Sequence, residues 1–304
     1  MRFVRSTLAL MTVAMVIGCR AGDHAGDPAP ARASASAFVA PPPLEEPSLL
    51  AGAPITFRTS DGATLAGDLY LAKERRSPAV VLVHRQFRDR GEWRPLVDVL
   101  RGAKAPCTVL AFDLRGQGES GLPPARPAQK RAATSSSEDV RAAIAAVVEA
   151  TDGATSGVVL IGSSLGAALV AQAAVSEPKV VALGMISPGM DLDGQDALHP
   201  FATVRELPAF IAMAADDNVS REPVALLERI AKSGTVKRYP GAGHGADALG
   251  AQAPALFADL EGWLESVRDA KPIPREPEGS PVRGAAVAEP AGKRARASAG
   301  GGRP

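Results

Sequence analysis

The run VVLIGSSLGAAL, Val158 to Leu169, sets two serines between two glycines. A serine hydroxyl attacks a carbonyl only when a base takes its proton and hydrogen-bond donors hold the oxyanion that forms. Gly162, Ser164 and Gly166 fit the spacing G-x-S-x-G with Ser164 at the centre. A centre at Ser163 would put Ile161 where the first glycine belongs. The spacing has a physical basis. The central serine sits on a sharp strand-to-helix turn in strained backbone geometry, and side chains two residues before and after it would collide. The turn presents the hydroxyl at the positive end of the next helix, where developing negative charge is favoured. The amide of Leu165, directly after the nucleophile, is the first candidate oxyanion donor. Ser163 becomes the interchangeable x of the motif, so Ser163→Ala is expected to leave most acylation intact.

The base must be found among four histidines, His24, His84, His199 and His244. His24 lies in a polar N-terminal stretch, His84 ends an apolar run, and His199 lies in the irregular segment DALHPFATV. His244 lies in YPGAGHGADAL, where three glycines read as a loop able to carry an imidazole over the serine turn. A third group must orient that imidazole and stabilise its positive form. Asp216 and Asp217, in AADDNVS, are both candidates, and chemistry alone does not separate them. The chain carries no cofactor-binding or metal-ligating motif.

These groups need elements to hold them. ITFRTSDGATLAGDLYLA reads as two alternating strands around Asp61-Gly62, a hairpin signal. AVVLVH, CTVLAFD, GVVLIG, VVALGMIS and PAFIAMA are short, near-continuous apolar runs, the pattern of strands buried on both faces of a parallel sheet. Between them lie helical patterns. SSSEDVRAAIAAVVEA opens with residues suited to a helix N-terminus, and Val140, Ile144, Val147 and Val148 then mark one apolar face. PVALLERIAKSG and PALFADLEGWLESVR are similarly amphipathic. The alternation implies an α/β fold: a mostly parallel, doubly wound sheet with an antiparallel start and helices on both faces.

The ends read differently. Arg2 and Arg5 precede an apolar run from about Leu8 to Ile17, the layout of a secretory signal and too short for a convincing membrane span. VIGC, Val16 to Cys19, resembles a bacterial lipobox, which implies cleavage before Cys19 and acylation of its thiol. Residues 1–19 are therefore expected to be a lipoprotein-type signal and 20–53 an Ala/Pro-rich tether, with the folded domain at 54–269. That arrangement is expected to place the protein in a bacterial cell envelope on a lipid anchor, and in a cell with two membranes Arg20 after the cysteine leans towards the outer membrane or its periplasmic face. Residues 270–304 form a basic tail with seven Lys/Arg against three Glu from Lys271 onwards and no aromatic residue, a composition that cannot bury enough to order itself. The formal net charge of +1 gives no argument for a nucleic-acid partner. Cys107 begins an apolar run and reads as a buried small hydrophobe.

Over about 55–268 the chain resembles the α/β-hydrolase superfamily. VLAFDLRGQGES, Val109 to Ser120, is similar to its strand-4 turn D-x-R-G-x-G-x-S, with Asp113, Arg115, Gly116, Gly118 and Ser120 matching in a structural role. ISPGMDLDG resembles a serine-proline stretch in cap-less lipoprotein or dienelactone-hydrolase-like members; true dienelactone hydrolases use a cysteine nucleophile, and Ser164 here points to esterase-like chemistry instead. The superfamily's chain order, serine then acid then histidine, selects His244. Its register for the acid favours Asp217, with Asp216 as the alternative. Many relatives carry His-Gly-x after the third strand, with x as second oxyanion donor. This chain has His84-Arg85-Gln86, which makes Gln86 the candidate and puts a charge near the site. The resemblance implies a hydrolase of small-molecule esters or acyl compounds. Thioesterase, peptidase and acyltransferase chemistry remain open on the same triad, as does a non-catalytic binding role. No gap is long enough for a large cap, although Asp191 to Arg205 has room for a small flap.

Overall fold

Apolar runs buried on both faces leave a sheet no choice but to be central. The computed structural model describes residues 52–103, 106–122, 136–192 and 194–273. Cys19, the signal and nearly all of the tether lie outside the described residues, as does the tail beyond Ile273. An antiparallel hairpin, β1 (Ala53–Arg58) and β2 (Thr64–Tyr70), opens the domain. It turns at Gly62, whose φ of 93° needs a glycine. Then follow β3 (Ala79–Val83), β4 (Val109–Phe112), β5 (Val158–Ser163), β6 (Val180–Ile186), a two-strand ribbon of β7 (Asp191–Leu192) and β8 (Gln195–Asp196), β9 (Ala209–Ala214) and β10 (Gly234–Tyr239). The eight-stranded sheet runs β1-β2-β4-β3-β5-β6-β9-β10, antiparallel only at β1-β2 and β2-β4.

Successive residues of β3 point to opposite faces. Ala79, Val81 and Val83 join one core with α2 (Ser137–Ala150), α3 (Leu165–Ser176), α4 (Leu198–Thr203) and α5 (Arg221–Ile230). Val80 and Leu82 join the other, with α1 (Arg94–Gly102), α6 (Ala246–Gln252) and α7 (Ala255–Ser266). The chain therefore leaves β3 towards one face and β5 towards the other. These neighbouring strands part at their carboxyl ends, the switch point where open α/β sheets form ligand crevices.

Three details differ from the sequence reading. His199 lies on α4 rather than in irregular chain, exposed and bonded to Asp196. Phe201 of α4 is fully buried in the core that α3 lines, so this part of the 191–205 segment belongs to a packed layer rather than a flap. The helix α1 was not anticipated; its Pro95 falls in the first helical turn, where its missing N–H costs nothing. Cys107 precedes β4 and packs half-buried against the second core. Burial pushes its thiol up to about 11, far from a reactive value.

The turn after β4 is built as its motif requires. Asp113 accepts hydrogen bonds from the amides of Arg90 and Glu119 and from the Arg90 guanidinium. Gly118, with φ of 53°, leaves no room for a Cβ beside that carboxylate. Arg115 is 3% exposed and pairs with the fully buried Asp139 of α2 at 2.7 Å and with Asp61 at 2.6 Å. Removing one member of a buried pair strands the other charge, at a cost of about 3–5 kcal/mol. Arg115→Met is therefore expected to lower unfolding free energy by about 3 kcal/mol or more in urea titration. A loss below about 1 kcal/mol would mean that Asp139 does not depend on this partner.

Candidate active site

The strand β5 ends at Ser163 and α3 starts at Leu165, so the whole reversal falls on Ser164. Its backbone sits at φ 51° and ψ −111°, a strained conformation for a residue with a Cβ. Ser164 N–H donates to Ile186 O at 2.8 Å, which ties the turn to β6. The flanking glycines are sterically required. A Cβ on Gly162 would lie 2.2 Å from Gly166 O, and one on Gly166 would lie 2.3 Å from Val83 O and 2.8 Å from His84 O.

The loop between β10 and α6 carries His244 over this turn. Its Nε2 lies 2.8 Å from Ser164 Oγ, and its Nδ1 lies 2.8 Å from Asp217 Oδ2. With Nδ1–H donating to the carboxylate, Nε2 is free to accept the serine proton. Asp217 is 4% exposed and sits on the loop after β9. Ser220 donates its hydroxyl to Oδ2 at 2.7 Å, and the amides of Val219 and Ser220 donate to Oδ1 at 3.1 and 3.3 Å. Burial works to raise the Asp217 pKa, but the bonds from Ser220 and His244 outweigh it and hold the carboxyl below its ordinary value. Asp216 is exposed and reaches the site only through its backbone, its amide donating to Gly241 O at 2.9 Å in the histidine loop. The structure thus brings Ser164, His244 and Asp217 together and leaves the Asp216 side chain outside.

The amides of Leu165 and Gln86 make no hydrogen bond among the described residues. Leu165 is the first residue of α3, where no intrahelical acceptor exists for its N–H. Around Gln86 the neighbouring amides are taken: Arg85 N–H donates to Glu92 at 2.7 Å and Phe87 N–H to Gln117 at 2.7 Å. His84, which the sequence marks only as the end of a strand, has a part in this. It is fully buried, accepts the Leu114 amide at Nε2 (2.9 Å), and therefore donates from Nδ1 to Arg85 O at 2.7 Å. Burial lowers its pKa and keeps it neutral. Because the peptide is trans, fixing the Arg85 carbonyl fixes the Gln86 N–H in the opposite direction.

Ser163 is not interchangeable. Its hydroxyl donates to Glu92 Oε1 at 2.8 Å and receives the Ala246 amide at 3.0 Å. Neither contact can be read from sequence, because Glu92 lies 71 residues away.

Two hollows among the described residues lie elsewhere. One, of about 50 Å³, is bordered by Leu100 of α1 and Leu264 of α7, and the other, of about 470 Å³, is lined by charged residues beside β2; neither includes Ser164, His244 or Asp217. Among the described residues no group of three His, Cys, Asp or Glu side chains could hold a metal ion. No described helix is long and apolar enough to cross a membrane.

Residues 80–214 match the Alpha/beta hydrolase family. No curated protein matches the chain by sequence. Among solved structures, the esterase Pf2001 of Pyrococcus furiosus is 16% identical with a TM-score of 0.59, over 72% of this chain and 92% of the esterase. A thermophilic esterase from Thermogutta terrifontis is 17% identical with a TM-score of 0.55, over 71% of this chain and 99% of the other. A membrane phospholipase A described as a bacterial virulence factor is 16% identical with a TM-score of 0.54, over 73% and 88%. The resemblance of fold is thus much stronger than that of sequence.

The glycine contacts make a prediction independent of substrate. Gly166→Ala forces a methyl against two backbone oxygens that cannot move without displacing β3. It is expected to cost about 1–3 kcal/mol in thermal or urea unfolding and to reduce reaction with a fluorophosphonate probe at least tenfold. Unchanged labelling would show that the close approach is not needed.

Proposed function

We propose that this chain, a member of the α/β-hydrolase superfamily, is a serine hydrolase that cleaves carboxylic esters through an acyl-enzyme. The observation that carries the reading is the unbroken relay from Asp217 through His244 to Ser164, both links 2.8 Å long. As Ser164 Oγ attacks the ester carbonyl, His244 Nε2 takes its proton. The carbonyl oxygen becomes an oxyanion held by the Leu165 and Gln86 amides. When the tetrahedral intermediate collapses, His244 returns the proton to the departing alkoxide, and the alcohol leaves. Water then attacks the acyl-enzyme with the same imidazole as base, releasing the acid and regenerating Ser164. Asp217 stays ionised throughout, consistent with its lowered pKa, and stabilises the imidazolium.

The rim supports an apolar ester. Four large apolar side chains are exposed among the described residues: Phe87 (87%), Leu122 (53%), Met190 (40%) and Val219 (56%). They follow β3, β4, β6 and β9, the strands flanking β5 on either side in the sheet. They stand on the chain that leaves those strands, and we read them as contacts for an apolar acyl group. Two fold neighbours are esterases and one is a phospholipase A, which agrees with an acyl substrate. The lipobox-like VIGC completes the reading: a Cys19 lipid anchor would hold the enzyme at a cell-envelope membrane, beside esters of that kind.

The test is hydrolysis of p-nitrophenyl esters of graded chain length. Ser164→Ala is expected to abolish acylation and fluorophosphonate labelling. Asp217→Asn should lower kcat by roughly 10³–10⁴-fold, while Asp216→Asn should stay within about threefold of wild type. Replacing Phe87 and Val219 by serine should raise KM selectively for the longer acyl chains. Wild-type turnover in Ser164→Ala would refute the mechanism, and equal losses at Asp216 and Asp217 would refute the assignment of the acid.

A further inference from the structure

Glu92 has no place in the relay, yet three hydrogen-bond donors from the surrounding loops converge on its carboxylate. It lies in the 3-10 turn Arg90–Trp93, and its side chain is wholly buried. Its Oε2 accepts the Arg85 amide at 2.7 Å. Its Oε1 accepts the Ser163 hydroxyl at 2.8 Å and the Ala246 amide at 2.9 Å. Each donor is a close chain neighbour of one working group. Arg85 precedes Gln86, Ser163 precedes Ser164, and Ala246 follows His244 by two residues. A single carboxylate therefore joins the oxyanion loop, the end of the nucleophile strand and the histidine loop.

The charged surroundings reinforce this junction. Arg85 stands where many relatives have glycine, and its guanidinium is held by acidic partners. It lies 3.7 Å from Glu92 and 3.0 Å from Asp247 on α6, which Arg88 also reaches at 2.7 Å. Gly245, at φ 90°, gives up its side chain to make this possible: a Cβ there would sit 2.4 Å from Arg85 Cδ and 3.1 Å from Glu92 Oε1. A buried carboxylate is costly to desolvate, and an apolar packing of the same volume is often the more stable solution. Burial accordingly pushes the Glu92 pKa up despite its donors. What the carboxylate provides in return is fixed geometry between three loops.

We propose that Glu92 is a positioning residue that holds the Gln86 amide and His244 in register with Ser164, with Ser163 as its partner on β5. The proposal rests on the esterase reading above. It acts on the transition state, since the oxyanion amides and the imidazole must converge on one tetrahedral centre, and a displacement near 1 Å costs roughly 100-fold.

Glu92→Gln keeps the shape of the side chain but places an NH₂ group against at least one N–H or O–H donor. With p-nitrophenyl butyrate, and with active sites counted by the fluorophosphonate that Ser164 consumes, kcat per titrated site should fall roughly 10- to 100-fold while KM stays within about twofold. Affinity for a trifluoromethyl ketone, which forms a tetrahedral adduct, should fall by the same factor as kcat/KM. Ser163→Ala, which leaves the carboxylate in place, should lose several-fold in kcat, and Ser163→Thr should recover most of that loss. The two losses should combine to less than their product, because the residues share one contact. A merely structural role would lower the melting temperature and the titrated fraction while each remaining site turned over at the wild-type rate. That result, or wild-type ketone affinity in either Glu92→Gln or Ser163→Ala, overturns the proposal and leaves the esterase reading standing. A wild-type protein that neither labels nor hydrolyses overturns both.

Discussion

The closeness of α3 to the end of β3 is the constraint on which the rest of the site depends. Gly166 packs against the carbonyls of Val83 and His84 with no room for a single methyl group. That approach packs the first turn of α3 against the carboxyl end of β3, from which the loop carrying Gln86 departs, 79 positions before Leu165. It also forces the turn at Ser164 into a backbone that ordinary residues avoid. The strain is local, and the apolar α3 holds it in place, with most of its side chains buried between the sheet and α2 and α4.

Behind the reactive groups, the carboxyl edge of the sheet is unusually polar for a buried region. His84, Glu92, Asp113, Arg115, Asp139 and Ser163 are all under 9% exposed. Many of their hydrogen bonds are made with backbone amides and carbonyls of the loops, others with one another or with Arg90 and Asp61. Loops that leave parallel strands have no ladder to define them, so their shape must come from such contacts. Asp113 and Arg115 shape the loop after β4, His84 and Glu92 the loop after β3, and Glu92 with Ser163 the start of α6. The expense of burying these groups is offset where several donors converge on one carboxylate.

How much of this was legible beforehand differs by element. The central strands β3, β4, β5, β6 and β9 were visible as apolar runs, because burial on both faces suppresses polar residues whatever the neighbours are, and β1 and β2 as alternation around Asp61-Gly62. The helix α2 was visible through its periodicity, and the turn after β4 through its glycines. The helix α1 was not read, although its Pro95 lies in the first turn, where proline is tolerated. Asp216 and Asp217 are chemically identical neighbours, and only the curl of the chain after β9 buries one and exposes the other. Ser163 looked dispensable because its partner, Glu92, is remote in sequence.

Sequence alone determined which residue types could react and which serine had the room to do so. Glycine at 162 and 166 is a steric requirement, and steric requirements are written in residue identity. The order of buried runs and glycine-rich loops likewise determined the doubly wound sheet. Only the tertiary structure decided the distances: which aspartate meets His244, which amide beside Arg85 is left without an acceptor, and that one buried glutamate spans three loops. The reason is physical. A hydrogen bond depends on the separation and direction of two groups to within a few tenths of an ångström, and those are properties of the packed chain rather than of either residue.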